Sequence, residues 1–127
     1  MESNRARIFR KSEKKAIELV SAILSAREVH ENKGVFDWLR GDKDRKLRVD
    51  AYFPNEKLVL EYNGVQHDKP NKLMDRRPGR AEQRKRYTEL RRRLIPQHGL
   101  KLLEINYDES LTHEHIRERL MEIGFKV

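Results

Sequence analysis

Apolar positions in the first quarter of the chain fall at Phe9, Ala16, Ile17, Val20, Ile23 and Leu24, within a segment otherwise rich in Lys, Glu and Ser. Spacings of three and four residues put them on one stripe of a helix, predicted over residues 4–27. Strand-like stretches then follow at 35–40, 46–53 and 57–65, separated by the turn sequences GDKD and PNE, and these predict an antiparallel meander. A helical pattern returns over 80–95, with Tyr87, Leu90 and Leu94 on one face and Pro96 beyond its expected end. Gly99 opens a short strand, LKLLEINY. The last helix, 112–123, has Thr112 as N-cap, buries Ile116, Leu120 and Ile123, and stops at Gly124. The order α-β-β-β-α-β-α describes an α/β (α+β) fold, a small mixed sheet flanked by helices.

At 127 residues the chain suits one domain spanning its whole length. Its formal charge is +8, from 29 Lys and Arg against 21 Asp and Glu. That charge is concentrated, because residues 76–93 (RRPGRAEQRKRYTELRRR) hold nine basic residues and two Glu. A polyanionic partner is therefore expected. No apolar run approaches the roughly 18 residues of a membrane span, and the N-terminal residues lack the apolar core of a signal peptide. A soluble, intracellular protein is expected, cytoplasmic or phage-encoded. The absence of cysteine excludes disulfides, a thiol nucleophile and every Cys-based metal site, so any metal must be held by carboxylates or histidines.

Pairing across the PNEK turn locates candidate ligands. With the turn centred between Asn55 and Glu56, opposed residues have numbers summing to 111. This register puts Val49 opposite Tyr62, Ala51 opposite Leu60 and Phe53 opposite Leu58, three apolar pairs on one side. On the other side Arg48 faces Asn63, Tyr52 faces Val59, and Asp50 faces Glu61. Two carboxylates with Cβ atoms roughly 5 Å apart repel unless a proton or cation neutralises them, and a divalent metal is the simplest cation. The competing reading is a solvated face on which each acid pairs with Arg48 or a nearby Lys.

Angular arithmetic places Glu13 within the apolar stripe of the first helix, so it points inward. It lies at the stripe's wet end, pairs with a base, or turns toward the same metal; its benefit to the helix N-terminus is the plainer explanation for its presence. Along EYNGVQH, His67 shares the face of Glu61 and Asn63 unless Gly64 forms a bulge. His67 is a candidate to orient the attacking water or touch the phosphate, Gln66 a weaker one. The cations Arg48, Arg76, Arg77, Arg80, Arg84, Lys85, Arg86, Arg91 and Arg92 are candidate phosphate contacts, and Lys85 a candidate to stabilise transition-state charge. His113 and His115 differ by about 200° around a helix and offer no third ligand, which disfavours zinc. Phosphate-loop, dinucleotide-binding and serine-hydrolase signatures are absent.

The inward Glu13, the string RVDAYFPNEKLVLEYNGVQH, the basic helix and the strand after Gly99 together resemble the PD-(D/E)xK, or restriction-endonuclease-like, superfamily. The nearest likeness is to its very-short-patch-repair branch, and it covers residues 12–107. The resemblance implies that Asp50 and Glu61 bind metal, that Glu13 is an additional helix acid, and that His67 is the histidine of that branch. Asn63 stands where the general pattern has lysine, with Lys85 as the candidate substitute, and Glu82 and Lys85 match an acid and a base often carried by the helix. Enzymes of very-short-patch repair also hold a cysteine-bound zinc, which this chain lacks. The expected function is that of a DNA endonuclease or nickase using Mg²⁺, with Mn²⁺ substituting, and leaving a 5′-phosphate. No membrane is expected as partner; a homodimer or partner subunit would supply sequence preference. The alternatives are a non-catalytic nucleic-acid-binding module and an RNA-directed nuclease.

Overall fold

The computed structural model describes residues 4–64 and 78–127, with side chains from residue 7 onward. Its elements are α1 (Asn4–Leu24), β1 (His30–Lys33), β2 (Val49–Phe53), β3 (Leu58–Asn63), α2 (Arg80–Gln97), β4 (Lys101–Asn106) and α3 (His113–Glu122), in the expected α-β-β-β-α-β-α order. The sheet runs β1-β2-β3-β4. β1, β2 and β3 form the antiparallel meander, and β4 lies parallel to β3 after the crossover through α2. Among the described residues no helix is long and apolar enough to cross a membrane.

The three helices end alike. Each closes with a left-handed residue, Ser25, Gly99 or Gly124, whose N–H bonds three residues back. The next N–H reaches five residues back, as in Ala26 N to Ser21 O (2.9 Å), Leu100 N to Ile95 O (3.2 Å) and Phe125 N to Leu120 O (3.1 Å). This paired closure satisfies the last carbonyls. It explains why α1 stops at Leu24 rather than 27, and why α2 runs through Pro96 to Gln97, since Gly99 and not the proline sets the stop. Thr112 caps α3 as expected, accepting from His115 N at 3.2 Å.

The first strand is displaced from its predicted place. Residues 35–40 form a turn-rich segment, with Leu39 N bonding Phe36 O and one isolated bridge, Arg40 to Lys46. Apolar residues occur at both parities there, so no strand face exists to bury; Phe36 and Leu39 instead pack down together beside Val59 and Ile95. The strand that does pair, HENK, is a polar edge with three exposed residues, a composition that suits an unpaired edge and hides it from a hydrophobic pattern.

The predicted register holds through Phe53–Leu58, Tyr52–Val59 and Ala51–Leu60. Ala51, Phe53, Leu58, Leu60 and Tyr62 pack with Leu103 and Ile105 under α1 and α3. The opposite face, with Val59 and Tyr52, lies under α2 and residues 35–47. β3 is therefore covered on both sides, as suits a central strand. Two expected pairs fail, because the backbone pairing of β2 with β3 ends at Ala51–Leu60, where the strands part: Tyr62 joins the first cluster and Val49 the second, and Asn63 pairs with Asn106 of β4 rather than with Arg48.

Candidate metal and phosphate site

The hairpin opens where its two acids stand. Beyond Ala51 and Leu60 the ladder is carried by side chains: Asp50 N donates to Glu61 Oε2 at 2.7 Å, and Tyr62 N donates to Asp50 Oδ2 at 2.6 Å. Each carboxylate takes the place a carbonyl would hold, so both are fixed between the strands. The opposition of Asp50 and Glu61 expected from the register is thus realised with the side chains drawn into the hairpin mouth. Glu61 is 9% exposed.

Arg91 of α2 is the counter-ion. Its Nε lies 3.0 Å from Glu61 Oε1, and its guanidinium also donates to the Arg48 carbonyl at 2.9 Å. The Nε–H is not aligned on the carboxylate and has no other partner, so the attraction is ionic rather than a directed hydrogen bond. Ile95, the fully buried residue of α2, lies one turn after Arg91 and carries it onto the inward face. Arg91, a candidate phosphate contact by local charge, is instead turned onto Glu61, and the apolar residue four positions on is the sign in the sequence that it faces inward.

Glu13 arrives from α1. Gly64 ends β3 against Phe9, whose ring a Cβ at that position would strike, and Phe9 meets Tyr62 edge-on at 5.5 Å. The glycine therefore permits a close approach of α1 to the hairpin mouth. Glu13, one turn beyond Phe9, then senses Asp50. Its pKa rises to about 7 through burial first, then the Asp50 charge, with Glu31 adding and a hydrogen bond from Asn32 opposing. Burial also pushes Glu61 up, to about 8, reinforced by Asp50 and opposed by Arg91 and the Asp50 N–H. Asp50 is raised by burial against the Tyr62 N–H, Arg91 and Glu61. Three carboxyls with one arginine leave the site short of positive charge.

No three Asp, Glu or His side chains close into a ready metal cage among the described residues. The donor set still fits Mg²⁺, which takes hard oxygens, binds through one or two carboxylates and keeps several waters. Asp50 and Glu61 supply that pair, with Glu13 adding charge nearby. A cleft of about 30 Å³ beside Glu61, lined also by Asn63, Thr88, Arg91, Arg92 and Glu104, has room for about one water.

The remaining candidates separate. Asn63 shares this cleft, but its amide is held by Glu104 Oε1 (3.1 Å) and Asn106 Oδ1 (3.2 Å). Lys85 is exposed and does not line the cleft; six residues before Arg91, it occupies another face of α2. Arg92 is bound to Glu104 at 2.7 and 3.0 Å, and Arg86 to Asp42 at 2.7 Å. Arg80 donates to Gln83 at 2.9 Å, Arg84 is half-buried, and Arg48 is exposed. The acids that hold Arg86, Arg91 and Arg92 come from other elements, which the local ratio of nine bases to two Glu could not reveal. His67, Gln66, Arg76 and Arg77 lie outside the described residues.

No protein-family profile matches the chain, and no solved structure matches it. It is 32% identical over 81 residues to uncharacterized protein 033L of Invertebrate iridescent virus 3, covering 62% of this chain and 42% of that protein. It is 31% identical over 81 residues to uncharacterized protein 307L of Invertebrate iridescent virus 6, covering 62% and 40%. The chain spans about two fifths of the length of these curated relatives.

Proposed function

We propose that the protein is a metal-dependent nuclease that hydrolyses DNA phosphodiester bonds at Asp50 and Glu61. The observation that carries this reading is the hairpin mouth, where two desolvated carboxylates are locked by backbone N–H groups and only partly neutralised by Arg91. A site that strains its acids toward protonation without balancing them suits a divalent cation and charge-transfer chemistry. Asp50 and Glu61 would hold the ion. Mg²⁺ bound there would supply a water of lowered pKa and offset charge on the phosphate. Glu13 deepens the negative potential, and Arg91 orients Glu61. His67 is assigned its role of orienting water by the family resemblance, as are DNA as substrate and a homodimer or partner subunit as the source of sequence preference.

The test is cleavage of supercoiled plasmid in Mg²⁺, Mn²⁺ or EDTA by wild type, Asp50→Asn and Glu61→Gln. Metal-dependent nicking or linearisation, lost in both variants, is expected. The second reading is a binding module with a decayed site, favoured by the ion pair between Arg91 and Glu61, which leaves one acid already satisfied. Binding to DNA unaltered by EDTA, with no cleavage by the wild type in either metal, would establish that module instead; cleavage of RNA in preference to DNA would redirect the nuclease reading.

A further inference from the structure

A broad cleft lined by basic residues lies beside the acids, not on them. It has a volume of about 800 Å³ between residues 41–48 and the first half of α2. Lys43, Arg45, Lys46 and Arg48 line one wall, Arg80 and Arg86 the other, and Arg91 leads from it toward Glu61. Asp42 is the single acid in the lining among the described residues, and it is already engaged by Arg86 at 2.7 Å and Gln83 at 3.2 Å. Lys46 reaches Asp37 at 3.0 Å. The Lys43, Arg45 and Arg48 side chains have no carboxylate partner among the described residues, and all three are exposed.

The walls are held together by packing. Asp42 N donates to the Tyr87 hydroxyl at 2.9 Å, and a Cβ on Gly41 would lie 2.7 Å from that hydroxyl and 2.8 Å from Leu47 Cδ2. Only glycine lets the segment close this tightly on α2. The N-terminus of α2 opens into the same cleft through Pro78, Gly79 and Arg80. Gly79 is left-handed there, and no side chain caps the helix. The N-terminal backbone N–H groups of α2 and the positive end of the helix dipole thus join the basic side chains around one space.

From this geometry we infer that the cleft seats the phosphate backbone of one strand of duplex DNA, with residues 41–48 and α2 gripping it from both sides. A protein partner would meet a surface of lysine and arginine without an exposed aromatic anchor, the reverse of a protein interface core. A single strand would lack rings on which to stack its bases, since Tyr87 is half-buried with its hydroxyl engaged. The volume is of the order of a small-ligand pocket, enough for one sugar-phosphate backbone but not for a whole duplex. The delivery of that strand to Asp50 and Glu61 rests on the nuclease reading; the binding itself does not.

The experiment is fluorescence anisotropy of a labelled DNA duplex in EDTA over a range of salt concentrations. Wild type is compared with a Lys43→Gln, Arg45→Gln, Arg48→Gln variant and with a Lys15→Gln, Lys126→Gln control, all checked by thermal melting. With each phosphate contact contributing about 0.9 to the slope of log K against log salt, the cleft variant should lose roughly two to three from that slope and bind at least about tenfold more weakly. The control should match wild type. An unchanged slope in the cleft variant, or a single strand or RNA competing more than tenfold better than duplex DNA, overturns the inference. A protein that shows the expected slopes yet never cleaves keeps this inference and loses the nuclease reading; one that cleaves while the cleft variant binds like wild type does the opposite.

Discussion

Two clusters of acids and arginines in this protein use the same side chains to opposite ends. At the hairpin mouth, Asp50 and Glu61 share Arg91, Glu13 adds a third carboxyl beside Asp50, and all three are driven above their ordinary range, by burial first. Beyond β4, Glu109 is met by Arg119, by His115 Nε2 at 2.7 Å and by Asn106 N at 2.8 Å. Arg119 also holds the Glu104 carbonyl at 2.9 Å. Burial pushes Glu109 up, but the bonds from Arg119, Asn106 and His115 outweigh it, and its pKa settles below the ordinary value. The second cluster fastens α3 to the end of the sheet. The first leaves charge uncompensated, and what separates a candidate site from a structural clasp is this balance rather than the number of acids.

The largest expected contrast comes from neutralising one acid in each cluster. Glu61→Gln should lower metal-dependent cleavage by roughly 10³-fold or more, with melting temperature in EDTA near pH 7 unchanged, because an acid whose pKa is raised to about 8 is already largely protonated there and Gln replaces a neutral group. Glu109→Gln should leave the cleavage rate intact and cost about 2 kcal/mol in denaturant unfolding. Activity lost at Glu109, or stability at Glu61, would break the distinction.

Removing the arginines gives a smaller contrast. Arg119→Met strands Glu109 and should cost about 2–3 kcal/mol. Arg91→Met should cost only about 1 kcal/mol at pH 7, since Glu61, with its pKa near 8, meets the loss by staying protonated. Equal losses in urea titrations would show that the two ion pairs carry the same structural weight.

The pH dependence of stability should differ in sign. Glu109 ionises more easily folded than unfolded, so its contribution is present above the ordinary carboxylate range and is lost as pH falls through its lowered folded value. Glu61 holds its proton more tightly when folded, so its contribution is complete below about 4.5 and is lost as pH rises through about 8. In EDTA, Glu109→Gln should flatten the acid limb of a melting-temperature profile and Glu61→Gln the alkaline one. The smallest effect is expected at Lys85: exposed and away from Glu61, its change to Gln should alter the cleavage rate less than threefold at saturating DNA.

Much of this was legible along the chain. The turn PNEK and its flanking apolar residues specify the register, because a slip by one would turn every buried side chain to the other face. Register in turn opposes Asp50 to Glu61. Glu13 was legible through helical periodicity, although its proximity to Asp50 depends on Gly64 admitting Phe9. β1 was not legible, since a short polar edge strand is recruited by its neighbour rather than by its own pattern. The partners of Arg86, Arg91 and Arg92 were hidden for a related reason: a count of local charge cannot see acids from distant elements.

The sequence by itself determined the order of elements, the hairpin register and the identity of the acids, because these depend on periodicity and on turn chemistry acting over a few residues. Only the tertiary structure decided which arginine neutralises Glu61, where Lys85 faces, and that residues 41–48 close on α2 to make a basic cleft. Those outcomes follow from how separate elements pack on opposite faces of one sheet, where burial and distance, and not neighbours in the chain, set the electrostatics.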